Sequence, residues 1–132
     1  MGTNSAHHLA LMVLAGEYAV CRLAPSTPAI PAWATAGPWY SVTRTADELS
    51  IVCPTAQVPG DVRAEAGWRM LRLAGPFPFE LTGILAAVLA PLAGAAIPIF
   101  ALSTFETDYL LVKAHDLARA VAELRAAGHR VD

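Results

Sequence analysis

Two stretches of this sequence repeat at a constant spacing. Residues 38–52 can be laid without a gap over residues 98–112, sixty positions later, with apolar and polar residues in the same order. Leu11 and Leu71 are related by the same offset. A repeat of this length indicates two copies of one small structural unit, and it restricts the fold more than any single motif does.

We therefore predict a tandem, with residues 1–65 forming the first unit and residues 66–132 the second. Units this small bury a modest share of their surface, so we expect them to pack together or against another chain. The sequence is 55% hydrophobic and 15% charged, whereas an average soluble domain is roughly 25% charged. This composition favours an oligomer that covers part of the apolar surface.

The charge and the cysteines of the sequence argue against a nucleic-acid-binding protein and against a disulfide-rich secreted one. The net charge is −2 and the nine Lys and Arg residues form no run, so we expect no nucleic-acid partner. Cys21 and Cys53 have neither metal-knuckle spacing nor the density of a disulfide scaffold, which predicts free thiols. Residues 1–6 lack the positive region of a secretory leader, which makes the cytoplasm the expected compartment.

One long stretch without charged residues, between Glu80 and Glu106, is long enough to cross a bilayer as a helix. Four residues divide it, however: Gly83, Pro91, Gly94 and Pro98. We favour a short buried helix followed by a strand over a membrane span, and expect no membrane partner.

The second half has a regular order of elements. The pattern predicts a strand at residues 68–73, a helix capped by Thr82, strands at residues 97–103 and 107–113, a helix with an apolar stripe, and a closing strand at Arg130. Gly128 suits the position that ends the second helix. This order is the βαββαβ, ferredoxin-like arrangement, an α+β fold with an antiparallel sheet and helices on one face.

The first half keeps the strand pattern but not the helices. Strands are predicted at residues 9–13, 18–23, 39–44 and 48–53, and the first two are either a hairpin or one strand with a bulge. Four prolines disfavour a regular helix between them: Pro25, Pro28, Pro31 and Pro38. The first unit is therefore predicted to be degenerate, and the strand at residues 68–73 can close it as well as open the second unit.

The sequence offers little support for catalysis. It contains no nucleophile motif, no glycine-rich phosphate loop and no pair of histidines at metal-ligand spacing, so we predict no catalytic residue, cofactor or metal. The four histidines, His7, His8, His115 and His129, are expected to be solvated. An enzyme that uses Asp108 or Glu106 as a base has no supporting second residue.

Polar groups do converge where the first helix of the second half begins. Thr82, Gly83 and Ile84 are expected to face the hairpin turn that carries Thr104 and Asp108. Free N–H groups and the positive end of the helix dipole can hold a carboxylate, while Asp108 can face an ammonium group. This predicts an amino-acid site; a cap, a tight turn and a hairpin end without ligand are the alternative.

Three motifs resemble those of ACT domains, the small ligand-binding modules of amino-acid metabolism. Residues 80–85 resemble the start of the family's first helix, with Thr82 where proline is usual. Residues 103–112 and 43–52 resemble the hairpins of the subgroup that contains short bacterial tandem-ACT proteins and the eukaryotic cytosolic arginine sensor.

The resemblance implies a ligand held at an interface between ACT units. Thr104, Phe105 and Asp108 are then the hairpin candidates, and Gly83 with Ile84 supplies backbone. The arginine sensor has four ACT units and this chain two, so the resemblance implies a homodimer. It does not carry arginine specificity to this chain.

We thus predict a non-catalytic, cytoplasmic regulatory module that binds a free amino acid or a related metabolite. The alternative is an assembly module with a vestigial ligand site. The first half is the weaker candidate for binding, since Glu48 takes the place of Asp108 at the offset of sixty but position 23 has no glycine to match Gly83.

Overall fold

The computed structural model describes residues 7–132, and residues 1–6, on which the leader argument rests, lie outside them. The described residues fold into strands and two α-helices in this order: β1 (Ala10–Val13), β2 (Tyr18–Leu23), β3 (Ser41–Arg44), β4 (Leu49–Pro54), β5 (Arg63–Leu73), α1 (Ile84–Gly94), β6 (Ile99–Ser103), β7 (Asp108–Lys113), α2 (Leu117–Ala126) and β8 (Arg130–Val131). The predicted α+β fold is confirmed. Residues 7–15 and Arg69–Asp132 form one compact unit, called here the split unit, and Gly16–Trp68 form another, called the inserted unit.

The split unit has a ferredoxin-like order with one added strand. Hydrogen bonding gives the order β8, β1, β5, β7, β6. β1 runs antiparallel to β5, with Leu11 opposite Leu73, and parallel to β8. Without β1, the order of the remaining strands is that of a βαββαβ unit. The amino-terminal strand thus lies between the first and last strands of that unit.

The helices of the split unit cover one face of its sheet. Ile84, Val88 and Leu92 of α1 are buried in the core, with Leu124 of α2. Gly83 is the N-cap of α1, with φ at 82°, and no side chain caps the helix. The prediction of a Thr82 cap is therefore wrong; the chain turns into the helix through a left-handed residue, for which glycine is suited.

The predicted end of α2 is confirmed. Gly128 has φ at 96°, its N–H donates to the Arg125 carbonyl at 3.0 Å, and the His129 N–H donates to the Leu124 carbonyl at 3.1 Å. These two bonds form a Schellman motif, which satisfies carbonyls that the last helical turn leaves free.

The inserted unit has the strand order of a βαββαβ unit but lacks its α-helices. Its sheet has the order β3, β4, β2, β5, and one face carries a core of Ala19, Cys21, Leu49, Ile51 and Cys53. Where a βαββαβ unit would have helices, the described chain has 3-10 turns at Ala32–Thr35 and Thr55–Gln57. Prolines explain this, because they remove N–H donors and prevent regular helix.

The turns of the β3–β4 and β6–β7 hairpins have the same hydrogen bonds, but the residues that correspond differ by one position from those in the sequence alignment. Thr45 donates from both its N–H and its hydroxyl to the Glu48 carbonyl, and Thr104 donates in the same way to the carbonyl of Thr107. Thr104 stands fifty-nine positions after Thr45, so the offset of sixty is wrong for the turns. Leu49, not Glu48, is the structural counterpart of Asp108.

Other expectations are also resolved. β1 and β2 both run antiparallel to β5, beside Leu71–Leu73 and beside residues up to Trp68, and they do not pair with each other. This agrees with one strand interrupted by extra residues, and the hairpin alternative is wrong. The strand predicted at residues 68–73 serves both units, as part of β5. Within residues 7–132 no helix has the length and apolar character needed to span a membrane.

Candidate functional site

A cavity of about 310 Å³ opens in the split unit between two segments. One segment is the loop from Phe77 into the first turn of α1, and the other is the turn of the β6–β7 hairpin. The residues that line the cavity are Phe77, Pro78, Phe79, Leu81, Gly83, Ile84, Leu85 and Ala86 on the first segment, and Ser103, Thr104, Phe105, Glu106, Thr107 and Asp108 on the second.

The amino-terminal end of α1 supplies hydrogen-bond donors. The first intrahelical bond runs from the Ala87 N–H to the Gly83 carbonyl at 3.0 Å, so the N–H groups of Ile84, Leu85 and Ala86 have no partner within the helix. No side chain of the described residues caps them and no acidic residue lies in the first turn. These N–H groups, together with the helix dipole, make this end of the cavity suited to an anion.

The hairpin supplies a carboxylate. Asp108 begins β7 opposite Ser103, the last residue of β6, and the Ser103 hydroxyl donates to Asp108 Oδ1. This bond fixes the orientation of the carboxylate and leaves Oδ2 to accept from a ligand. One cavity therefore offers N–H donors at one segment and a negative charge at the other.

Two hydrogen bonds hold the hairpin turn in place, one to the end of β5 and one from the loop. The Thr107 hydroxyl donates to the Leu73 carbonyl at 2.7 Å, and Thr107 is 5% exposed. The Phe77 N–H donates to the Glu106 carbonyl at 3.0 Å. Gly75 permits this approach, since a Cβ atom there would lie 2.8 Å from the Glu106 carbonyl oxygen.

An aromatic pair forms the rim of the cavity. The rings of Phe79 and Phe105 meet edge to face with centroids 5.0 Å apart, a favourable geometry for aromatic rings. Both remain largely exposed, at 73% and 79%. Leu81 adjoins the same cavity and is 43% exposed, so the rim is apolar and open to solvent.

The structure brings most of the predicted site residues together. Gly83, Ile84, Thr104, Phe105 and Asp108 all line the cavity. Thr82 does not; its carbonyl accepts a hydrogen bond of 3.0 Å from His7 Nε2. The Thr104 hydroxyl, expected to contact a ligand, donates within the turn to the Thr107 carbonyl at 3.1 Å.

Sequence reasoning missed two features of the cavity. Ser103 was not singled out, although the predicted hairpin would have placed it beside Asp108. Phe79 was missed because an aromatic residue in a proline-containing loop carries no periodic signal.

Comparison with known families decides what the split unit is. Residues 63–126 match the family model described as ACT domain. The chain contains an ACT domain. Residues 16–61 match a separate family model, described as an N-terminal domain.

One solved structure and one curated protein are similar to this chain in sequence. The crystal structure of protein Atu0741 from Agobacterium tumefaciens is 46% identical, with a TM-score of 0.90, over 96% of this chain and 94% of that chain. The chain and Atu0741 thus belong to one family. The human protein CASTOR3P is 33% identical in an alignment of 92 residues that covers 60% of this chain and 56% of that protein. The chain thus spans just over half the length of CASTOR3P.

Part of a larger enzyme has the same fold as this chain. Aspartate kinase from Clostridium acetobutylicum, described as an allosteric enzyme for amino-acid production, matches 96% of this chain with a TM-score of 0.65 and 11% identity. The matched region is 36% of the kinase chain. At this identity the match shows a shared fold around the ACT domain.

Proposed function

We propose that the chain is a non-catalytic regulatory module that binds a free amino acid or a related small metabolite in the cavity of its ACT domain. The observation that carries the proposal is that unpartnered first-turn N–H groups of α1 and the Asp108 carboxylate line one cavity of about 310 Å³. A free amino acid has two opposite charges near one carbon, and these two ends of the cavity are complementary to them.

In this proposal the ligand carboxylate accepts from the N–H groups of Ile84 to Ala86. Gly83 has no side chain to obstruct the approach, and its φ of 82° directs the chain into the helix. The ligand ammonium group donates to Asp108, whose other oxygen is held by Ser103. The apolar rim of Phe79 and Phe105 then contacts the ligand side chain.

A homodimer in the cytoplasm is part of the proposal. The rim of Phe79, Leu81 and Phe105 exposes apolar surface beside the cavity, and a second ACT unit placed there would cover both the rim and the ligand. Ligand binding would then favour one arrangement of the dimer, which a regulated partner can recognise.

A second candidate function is assembly without a ligand. The same exposed aromatic rim favours it, because apolar surface can serve pairing alone. Light scattering with and without amino acids separates the two functions. A mass that no amino acid changes, together with no detectable binding, supports assembly alone.

The direct test is isothermal titration of the full chain with the common amino acids. We expect at least one to bind, and Asp108→Asn to weaken that binding by about tenfold or more, since it removes a charged acceptor. The matched control is Asp47→Asn, which removes an exposed turn carboxylate from the other hairpin and should leave affinity unchanged. Absence of heat with every amino acid, or equal loss in both variants, would contradict the proposal.

A further inference from the structure

The inserted unit has a second cavity, of about 220 Å³, on the face of its sheet opposite the core. Three polar side chains stand in one row across it. Arg22 of β2 lies directly opposite Ser50 of β4 on one side and Arg63 of β5 on the other. Because side chains alternate between faces, these three point away from the face that buries Cys21 and Ile51.

The row places two like charges in direct cross-strand opposition. Such a pair is destabilising unless something negative lies between or beside the two charges. Arg22 donates one N–H to the Asp47 backbone carbonyl at 2.9 Å, which neutralises no charge. Glu48 and Glu65 line the same cavity. Within residues 7–132, however, the Arg63 guanidinium has no hydrogen-bond acceptor, and neither guanidinium forms an ion pair with a carboxylate.

We infer that Arg22, Ser50 and Arg63 form a binding site for the carboxylate of a small molecule that also carries an amino group. Two guanidinium groups and a hydroxyl on adjacent strands present several N–H and O–H donors to one anion, and guanidinium matches carboxylate in a two-bond geometry. The bound anion would offset the repulsion between the two arginines.

Glu48 determines the rest of the ligand class. Its side chain lines the same cavity, and its carboxylate has no partner among the described residues; only its backbone takes part in the turn, with Thr45. A doubly negative ligand such as phosphate would be repelled there, whereas an ammonium group would be attracted. The volume of about 220 Å³ limits the ligand to a small one.

This site does not depend on the cavity of the ACT domain. It lies on β2, β4 and the first half of β5, within the inserted unit. Its residues are different from those around Gly83 and Asp108. Each site can therefore be tested while the other is disabled.

The experiment is a nuclear magnetic resonance titration of the full ¹⁵N-labelled chain carrying Asp108→Asn. The probes are glycine, acetate and inorganic phosphate, and the signals followed are the Ser50 and Ala64 amides and the arginine side-chain N–H groups. We expect saturable shifts with glycine, weaker shifts with acetate, and none with phosphate at these positions.

Variants test each contact. Arg63→Gln should weaken glycine binding by about tenfold, the effect of removing a charged hydrogen bond. Glu48→Gln should weaken glycine but not acetate. The control is Arg44→Gln, since Arg44 stands opposite Leu49 on the other face and donates to the Pro25 carbonyl at 3.0 Å.

The absence of a saturable shift with glycine would overturn the inference. So would an equal loss of glycine affinity in Arg63→Gln and Arg44→Gln, or equal binding of glycine and acetate with no effect of Glu48→Gln. Shifts around Ile84 in the wild-type chain that are absent from Ser50 would support the ACT cavity alone and reject this site. Retained far-ultraviolet circular dichroism in each variant establishes that a loss reflects binding.

Discussion

His129 donates a hydrogen bond from Nε2 to the carbonyl oxygen of Ala87, 2.9 Å away inside α1. This carbonyl has no partner in the helix, because the residue four positions later is Pro91, which lacks an N–H. Nδ1 of the same ring accepts the Leu9 N–H at 3.1 Å. The ring is therefore a neutral imidazole with a fixed tautomer, which completes the helix and secures the chain just before β1.

Replacement of His129 should destabilise the fold. His129→Leu leaves the Ala87 carbonyl and the Leu9 N–H without partners in a region where the ring is 5% exposed. At about 1–3 kcal/mol for each of these two unsatisfied groups, we expect the free energy of unfolding to fall by roughly 2–6 kcal/mol. Urea denaturation measures it, with His115→Ala as control because the His115 side chain is 79% exposed.

A double-mutant cycle isolates the role of the proline. Pro91→Ala restores an N–H that can reach the Ala87 carbonyl, so it should recover part of the loss in the His129→Leu background. The two effects are then not additive. Strict additivity within about 0.5 kcal/mol would show that the histidine does not replace the missing helical bond.

Ala96→Gly should stabilise the chain. Ala96 follows α1 with φ at 56°, a left-handed conformation that costs a residue with a Cβ atom roughly 1–2 kcal/mol. Glycine adopts it without that strain, at some cost in unfolded-state entropy, so we expect a net gain of about 1 kcal/mol. The neighbour Ala95 has φ at −92°, and Ala95→Gly should not stabilise; a gain of equal size there would contradict the argument.

Gly75→Ala should disturb the ACT cavity. The added Cβ would lie 2.8 Å from the Glu106 carbonyl oxygen and 3.1 Å from the Thr107 Cβ. The loop must then move away from the hairpin, and we expect a loss of roughly 1–3 kcal/mol in stability together with weaker ligand binding. Gly60→Ala has nothing within 4 Å of the new atom and should change neither denaturation nor titration results.

The buried thiols predict a loss of stability at high pH. Burial, and then the neighbouring Cys53, raise the pKa of Cys21 from 9.0 to about 11. The folded chain therefore keeps this proton in a pH range where the unfolded chain has released it, so stability falls as pH rises from about 9 to about 11, by roughly 2 kcal/mol. Denaturation across this range should show a shallower decline in Cys21→Ala than in the wild type.

Most of the fold follows from the sequence because strand alternation and turn residues are local signals. The β6–β7 hairpin, the apolar stripe of α2 and the end at Gly128 were all predicted from neighbouring residues. The place of β1 was not, since its partners Leu71–Leu73 and Arg130 are distant in sequence. His129 was expected in solvent because a lone histidine carries no sign of the carbonyl it will meet.

The site was predicted in outline. The expectation that the start of α1 faces the hairpin turn agrees with the cavity that Gly83 and Asp108 share, while their role in binding stays a prediction. Thr82 was predicted to be the N-cap of α1 because threonine is common at that position. The N-cap is instead Gly83, which has a left-handed backbone conformation. The offset of sixty misplaced Glu48, since only the hydrogen bonds of the two turns reveal that Thr45 and Thr104 correspond.

The position of β1 between β5 and β8 has a consequence for synthesis. Synthesis proceeds from the amino-terminal side, so residues 10–13 leave the ribosome well before the neighbours they require, Leu73 and Val131. The inserted unit lies wholly between them in sequence and can fold before those neighbours have been synthesised. The sheet of the split unit is completed only after residues 130–131 have been synthesised, so β1 is made long before either of its neighbouring strands.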